Sequence, residues 1–443
     1  MARESVSTLS THRLLRAAAV GLLGVVVASG VVLTGAASSR SAALALGFGV
    51  AFCGAAAAIR FRGALLVLVP VAAYGVERLG PASANLSVAD GVLLAGLLAA
   101  VPFVPWESRW LRRILLAAAA YEAMLACVVV AHPTARAIVE WGHRILLVVG
   151  AVLVGASLAR LGEIAVAVRL YLAGSLVVAV DSIAVALRHH FAPSYPFGIQ
   201  KNDAGLLLAY AFVIAIGAPG LARVPKRYLN FLRIVLVVGL VCTQARGPMI
   251  AATIVVVALQ LRGHRSRRAT VMVVVASLLM AGGVLAVTEG QIIRGHKTPG
   301  VSKFYGVGAR EVTYKQALTI WSHDMFLGAG LRYFRDPTFQ TTEPHDLFVE
   351  GLAESGVFGV LALGVLLGAT WLALRRLDSD AAVLARCLLV MQFTAGLADI
   401  YWVAGRASFP WMLVGMAVGV DAMRIRRARQ DQAGLPAGAN AAA

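Results

Sequence analysis

The chain has 443 residues, of which 59% are hydrophobic and only 14% charged, whereas soluble domains carry about 25% charged residues. So little charge excludes a disordered protein, a small disulfide-stapled secreted domain and an ordinary soluble enzyme. The net charge is nevertheless +18, so the positions of the basic residues decide whether they serve a nucleic-acid partner or a membrane topology.

Apolar runs fill most of the chain, and a run of about 20 residues is long enough to cross a membrane as a helix. Runs of sufficient length lie near 17–37, 41–59, 87–105, 114–131, 143–159, 164–187, 270–287, 351–374, 381–398 and 407–423. Shorter runs lie near 63–76, 204–217, 231–244 and 247–261. This pattern predicts an all-α polytopic membrane protein of about 12 to 14 transmembrane helices.

The basic residues cluster on alternate loops between these runs, which is the positive-inside pattern of membrane proteins. The clusters are centred on Arg13, Arg60, Arg112, Arg160, Arg227, Arg267, Arg375 and Arg426. They hold most of the positive surplus, so the charge indicates topology and gives no reason to expect a nucleic-acid partner. The pattern places both termini in the cytoplasm of a multi-pass cell-membrane protein.

The runs divide the chain into N-terminal transmembrane helices (1–287), a long outward-facing loop (288–350), C-terminal transmembrane helices (351–430) and a disordered tail (431–443). The long loop contains a helical pattern from Arg310 to Trp321, so it is predicted to be ordered and partly helical. Long ordered loops usually carry function, and the chemistry of the protein is expected here.

Residues 231–261 would form a helix of about 46 Å, too long for a membrane core of about 30 Å. The chain is therefore predicted to turn within 243–248, where Gly247 and Pro248 suit a turn and the start of a new helix. Arg246 then lies near the outer membrane surface. It either snorkels to the interface or binds an anion, since guanidinium binds phosphate in a bidentate manner.

Two further candidates lie in the long loop. Arg310 follows the glycine-rich run from Gly306 to Gly308 and begins a helix, where backbone N–H groups also face anions; an ordinary surface helix is the alternative. Thr342 or Glu343 is predicted to cap a helix with Pro344 in its first turn, which places His345 on that first turn. There His345 is either a neutral proton acceptor or an interfacial polar residue.

Other signals are weaker. Asp378-Ser379-Asp380 follows two arginines on the cytoplasmic side and is interpreted as a solvated loop, and no carboxylate pair at metal-ligand spacing occurs on the outer side, so no metal site is predicted. The GxxxG from Gly364 to Gly368 is assigned to helix packing. Ionisable residues at the edges of spans either pair or mark a polar path; these are Arg169, Asp181, Arg386 and Asp399.

Taken in order, these pieces resemble the O-antigen ligase and polymerase superfamily of bacterial membrane glycosyltransferases, over about residues 200–370. The family has an Arg in a turn between central spans, a second Arg in a long periplasmic loop, a Gly-x-Gly turn, a His-Asn opening the next helix and then Glu-x-Gly. The corresponding residues here are Arg246, Arg310 with Trp321, Gly328 with Gly330, His345, and Glu354 with Gly356. Asp346 stands where the family usually has Asn.

The resemblance implies a GT-C-like architecture and transfer of a glycan from a polyprenyl (undecaprenyl) pyrophosphate carrier to an acceptor hydroxyl on the outer face of the membrane. Arg246, Arg310 and His345 would be the catalytic residues, without a metal or a cofactor. Further predicted substrate-binding residues are Arg294, Lys297, Arg332, Asp346 and Lys201. The partners would be the lipid-linked donor, a lipid, glycan or protein acceptor, and membrane lipids.

Three alternatives stay open at this point. Within the same chemistry, a polymerase would add the glycan to another carrier-linked glycan, whereas a ligase would add it to a lipid or protein anchor. From another class, a transporter or flippase of lipid-linked or anionic substrates would have inverted repeats and ionisable residues near the bilayer midplane. A nonenzymatic membrane scaffold is the remaining possibility.

Overall fold

The computed structural model describes residues 62–76, 78–79, 86–262, 307–336, 343–400, 402–403 and 405–432, and the single positions 275 and 282. The chain divides into two compact units, Met1–Arg62 and Gly63–Ala443, and apart from Arg62 the described residues belong to the second. The predicted spans near 17–37 and 41–59, and nearly all of the predicted span near 270–287, lie outside the described residues.

The described elements are helices, apart from one small hairpin of strands. The helices are α1 (Arg62–Ala72), α2 (Val88–Ala100), α3 (Arg109–Ala131), α4 (Ala135–Ile145), α5 (Ala151–Leu161), α6 (Ile164–Arg188), α7 (Lys201–Gly217), α8 (Pro219–Ala222), α9 (Lys226–Thr243), α10 (Arg246–Arg262), α11 (Val307–His323), α12 (Leu347–Arg375), α13 (Asp380–Gly396) and α14 (Ser408–Gln432). The strands β1 (Arg78–Leu79) and β2 (Leu86–Ser87) pair in antiparallel fashion. Short 3₁₀ turns lie at Val101–Phe103, Pro196–Gly198 and Tyr333–Arg335, and the π-helical stretch Leu146–Gly150 joins α4 to α5.

Judged by length and composition alone, four described helices are able to cross a membrane. They are α3, the continuous helix Ala135–Leu161, α6 and α12. The chain is therefore an all-α polytopic membrane protein, as its composition predicts. The shorter predicted runs near 204–217, 231–244 and 247–261 are helices of 17, 18 and 17 residues, and the total of 12 to 14 spans stays a prediction.

Helix α7 forms the centre of the bundle. Every residue from Asp203 to Ile216 is buried, because the helix is apolar around its whole circumference. Around it the helices pack closely through small residues: a Cβ atom added at Gly155 of α5 would lie 1.9 Å from the carbonyl oxygen of Met412 in α14. The core therefore consists of helices in near-backbone contact, the usual packing of membrane helices.

The polar contacts between helix ends define two ends of the bundle. An ion pair joins Asp203 at the start of α7 to Arg406 just before α14, and Arg406 also binds Asp399 just after α13. These helix termini, and the start of α12, thus lie together at what we call the site end. The opposite termini of α12 and α14 carry the basic clusters at Arg375 and Arg426. The basic clusters and the paired charges of the site end therefore lie at opposite ends of these helices.

Candidate functional site

Three separate segments of the chain meet at the exit of α13, which is the stretch Ala395–Ile400. Gly247 at the start of α10 lies against it, since a Cβ atom added there would be 3.7 Å from Ala398 Cβ. Arg310 of α11 donates a hydrogen bond from Nη2 to the carbonyl oxygen of Ala398 at 2.9 Å. His345 Nδ1 lies 3.3 Å from Asp399 Oδ1. Arg310 and His345 therefore contact this stretch directly. Arg246 is the neighbour of Gly247, which lies against it.

Arg246 is placed by a sharp break between α9 and α10. The break lies at Gln244, whose left-handed backbone (φ 54°) ends α9, and α10 begins at Arg246. The Gln244 side chain donates to the carbonyl oxygen of Phe191 at 2.7 Å, which ties the turn to the loop after α6. The predicted interruption is present, although the turn precedes Gly247 and Pro248, which form the first turn of the new helix.

Arg246 and Arg310 are close enough for their positive charges to repel each other. Within the described part of the chain, neither arginine forms an ion pair with a carboxylate. Two neighbouring cations without a carboxylate partner among the described residues, each in the first turn of a helix whose N–H groups also favour negative charge, make a site suited to an anion.

His345 lies just outside helix α12, which corrects the prediction that it belongs to the first turn. The helix is capped by Asp346, whose Oδ1 accepts hydrogen bonds from the backbone N–H groups of Phe348 (2.9 Å) and Val349 (3.1 Å). A carboxylate that satisfies two free N–H groups makes a better cap than Thr342 or Glu343 would. The side chain of His345 is 41% exposed and thus accessible to a substrate.

Asp399 anchors His345 and belongs to a buried chain of charges. Arg406 Nη1 donates to Asp399 Oδ2 at 2.9 Å and to Asp203 Oδ1 at 2.7 Å, and the N–H of Ile400 donates to Asp399 Oδ1. Burial raises the pKa of Asp399, but the Arg406 guanidinium and the hydrogen bonds outweigh burial and hold the pKa well below its usual range. Asp399 therefore stays ionised and is able to accept a hydrogen bond from the imidazole.

Tyr314 completes the surface between α11 and the start of α12. It lies one helical turn after Arg310 and close enough to Asp346 to sense the charge of its carboxylate. Burial and the charge of Asp346 raise the pKa of Tyr314, with Arg310 opposing in part. The phenol therefore stays protonated beside the carboxylate that caps α12.

The predicted substrate-binding residues are distributed differently. Lys201 is the first residue of α7, two positions before Asp203, and so lies at the site end. Arg332 is 6% exposed, and its Nε binds Glu140 Oε2 at 2.7 Å, so it belongs to a buried cluster of charges that joins the segment around Arg332 to α4. Its role in substrate binding stays a prediction without support from this placement. Arg294 and Lys297 lie outside the described residues.

The Gly-x-Gly segment (Gly328 and Gly330) forms backbone hydrogen bonds with the Glu-x-Gly segment (Glu354 and Gly356), and we call this contact the joint. Gly356 has a non-helical backbone (φ 63°, ψ −170°), which interrupts the hydrogen bonds of α12. The segment Met325–Gly330 fills the opening: Ala329 N–H donates to Ala353 O at 2.8 Å, and Gly330 N–H donates to Glu354 O at 3.1 Å. This joint positions α11, and with it Arg310, over the start of α12.

We expect Gly356→Ala to destabilise the protein, because the backbone conformation is one that essentially only glycine adopts and the new Cβ would lie 2.1 Å from Phe326 O. The strain alone is worth about 1–3 kcal/mol, measurable as a lower midpoint of thermal unfolding in detergent. Gly364→Ala in the same helix is the matched control, since nothing lies within 4 Å of its added Cβ. Equal midpoints for the two variants would contradict this interpretation of the joint.

The assignment of the GxxxG to helix packing stays a prediction. Nothing among the described residues lies within 4 Å of a Cβ added at Gly364 or Gly368, so the GxxxG packs against no other described helix. The Asp378–Asp380 motif also has a structural explanation, because Ser379 caps α13 by accepting from Ala382 N–H at 3.2 Å. In the described ranges, no group of three or more His, Cys, Asp or Glu residues is placed to hold a metal ion.

The helices and the polar cluster define a polytopic membrane protein whose candidate site lies at the end of the bundle opposite the basic ends of α12 and α14. The sequence model of the O-antigen ligase family matches residues 231–364, and this match supports membership in the O-antigen ligase superfamily. No curated protein matches the chain. The matched region contains Arg246, Arg310 and His345, whereas Asp399, Arg406 and Asp203 lie outside it.

Proposed function

We propose that the chain is a membrane glycosyltransferase that moves a glycan from an undecaprenyl pyrophosphate carrier to an acceptor hydroxyl on the outer face of the cell membrane. The observation that carries the proposal is the convergence of Arg246, Arg310 and the His345–Asp399 pair on the exit of α13. The family match supports a ligase or polymerase of lipid-linked glycans in general terms.

The two arginines suit the donor. Cleavage of the bond between the anomeric carbon and the phosphate oxygen leaves undecaprenyl pyrophosphate with additional negative charge. Arg246 and Arg310, which have no carboxylate partners among the described residues, would stabilise that charge. Their mutual repulsion in the free protein is relieved when the anion binds, so the site favours a ligand with more than one negative charge.

His345 suits the acceptor. With Asp399 accepting a hydrogen bond from Nδ1–H, the other ring nitrogen, Nε2, carries a lone pair and is free to accept a proton. The acceptor hydroxyl loses its proton to Nε2 as its oxygen forms the new bond to the anomeric carbon. Asp399 then stabilises the imidazolium, as the carboxylate does in other catalytic His–Asp pairs.

The orientation follows from the charges. The basic ends of α12 and α14 lie opposite the site, and by the positive-inside rule that end of the bundle would be cytoplasmic. The candidate site then faces outward, where a lipid-linked glycan that has crossed the membrane would be available. Both termini are proposed to be cytoplasmic.

The test is transfer by the purified full chain in detergent, with a radiolabelled undecaprenyl pyrophosphate-linked glycan and an extract of the source cell envelope as the acceptor. We expect label in the acceptor together with released undecaprenyl pyrophosphate, at the same rate in excess EDTA, because the charge stabilisation comes from arginines. A strict requirement for a divalent metal would contradict the mechanism. An intact donor under all conditions would overturn the proposed function and favour a transporter.

A further inference from the structure

The buried pair Arg406 and Asp203 links the candidate site to the centre of the bundle. Arg406 is 4% exposed and Asp203 is 6% exposed, although both are charged. A buried charge is expensive unless it is paired, and these residues come from segments 203 positions apart in the chain. Such a costly arrangement calls for an account of what the pair does, since hydrophobic residues would fill the same space at lower cost.

One nitrogen atom of Arg406 serves both carboxylates. Nη1 donates to Asp203 Oδ1 at 2.7 Å and to Asp399 Oδ2 at 2.9 Å, which uses both of its hydrogen atoms. Asp203 belongs to α7, the buried central helix, and Tyr210 of the same helix donates to the carbonyl oxygen of Arg406 at 3.1 Å. Arg406 is thereby held to α7 by its side chain and by its backbone.

The other oxygen of Asp399 is left for the site. Oδ1 accepts from Ile400 N–H at 2.9 Å and faces His345 Nδ1 at 3.3 Å. The Asp399 carboxylate thus faces Arg406, just before α14, and His345, just before α12. Asp203 of α7 binds the same nitrogen of Arg406. With Oδ2 fixed by Arg406, the carboxylate cannot rotate away from the imidazole without losing an ion pair.

We infer that Arg406, held by Asp203, is a positioning residue that keeps Asp399 ionised and aimed at His345. The inference rests on the proposed function, because it assigns a task to the residues behind the proposed base. Arg406 touches neither donor nor acceptor and acts only through Asp399. Without its guanidinium, two buried carboxylates would lie close together without a shared cation, and one of them would take up a proton.

The test compares Arg406→Gln with wild type in the transfer assay. We expect kcat to fall about 10- to 100-fold while the KM for the lipid-linked donor changes little, because Arg246 and Arg310 are untouched. We also expect the acid limb of the kcat–pH profile to move to higher pH, since loss of the guanidinium raises the pKa of Asp399. Arg406→Lys restores the cation, and it should return the acid limb toward its wild-type position.

Two further variants keep the result interpretable. Asp203→Asn keeps the guanidinium beside Asp399 but weakens the hold on Arg406, so we expect a fall in kcat that is smaller than that of Arg406→Gln. Arg427→Gln, an exposed arginine at the other end of α14, is the matched control and should leave both parameters unchanged. Measurements are normalised to folded protein by size-exclusion chromatography, because removal of a buried cation also lowers stability.

The outcomes separate this inference from the proposed function. If His345→Ala is inactive but Arg406→Gln, per folded molecule, has the wild-type kcat and pH profile, Arg406 serves only the fold and the inference is wrong. If His345→Ala itself has the wild-type rate, the proposed base is wrong, whatever Arg406 does. A fall in kcat with a shifted acid limb, partly rescued by lysine, supports the inference.

Discussion

Arg246→Ala and Arg310→Ala are each expected to lower kcat/KM for the lipid-linked donor by about 100- to 1,000-fold, the range found when one preorganised stabilising group is removed from a transition state. Each substitution removes one of these two cations from the departing pyrophosphate. The double variant should lose less than the sum of the two losses in free energy, because each single substitution also removes a repulsion that the free protein contains. Initial rates at several donor concentrations give the required values.

The same repulsion provides a control for folding. Because the two guanidinium groups oppose each other in the free protein, Arg246→Ala should not lower the midpoint of thermal unfolding, whereas Arg310→Ala also loses the hydrogen bond to Ala398 O and is expected to lower the midpoint slightly. Inorganic pyrophosphate should raise the midpoint of wild type and not that of the double variant. Arg188→Ala, an exposed arginine at the end of α6, should resemble wild type in every measurement. Normal donor use by both single variants would eliminate the anion site.

The fold was largely predictable, because apolar runs of about 20 residues leave few alternatives in a membrane. The break at Gln244 illustrates this: no residue type there demands a turn, but a single helix over 231–261 would exceed the membrane core. Helix boundaries were less predictable where neighbouring residues favour different start positions. Pro344 favours an early start of α12, yet the Asp346 carboxylate satisfies two backbone N–H groups, and this stronger interaction sets the start three residues later.

The candidate site was predictable only in part. Arg246, Arg310 and His345 stand out because they interrupt apolar or glycine-rich segments, whereas Asp203 and Arg406 were missed. Their pairing depends on how α7 and α14 pack, over a separation of 203 residues, which local patterns do not reveal. A signal was nevertheless present: each stands immediately before a predicted apolar run, and a charge at the edge of a span requires a partner.

The two halves of the site are held by different interactions. The arginines are fixed by backbone features, namely the turn at Gln244 and the joint at Gly356. The base is instead fixed by charges that extend from Asp399 to α7. Changes in the joint should therefore affect donor binding and stability together, whereas changes in the charge chain should affect kcat and its pH dependence.

His345→Ala is expected to lower kcat by about 10²- to 10⁴-fold, the usual contribution of a general base, with little change in the KM for the donor. The acceptor hydroxyl would then have to lose its proton to water. His345→Gln should be no better, because its amide cannot accept a proton at the required basicity. His323→Ala, an exposed histidine at the end of α11, is the matched control and should have the wild-type rate.

Added imidazole provides the sharper measurement. Since the His345 side chain is 41% exposed, the alanine variant leaves an opening that a small base is able to enter. Imidazole should restore part of the rate to His345→Ala, and less of it to a variant that also carries Asp399→Asn, because the carboxylate that orients the ring is then neutral. Wild-type activity of His345→Ala would show that this residue is not the base. A low rate that imidazole does not raise would indicate that the His345 ring instead stabilises the structure at the start of α12.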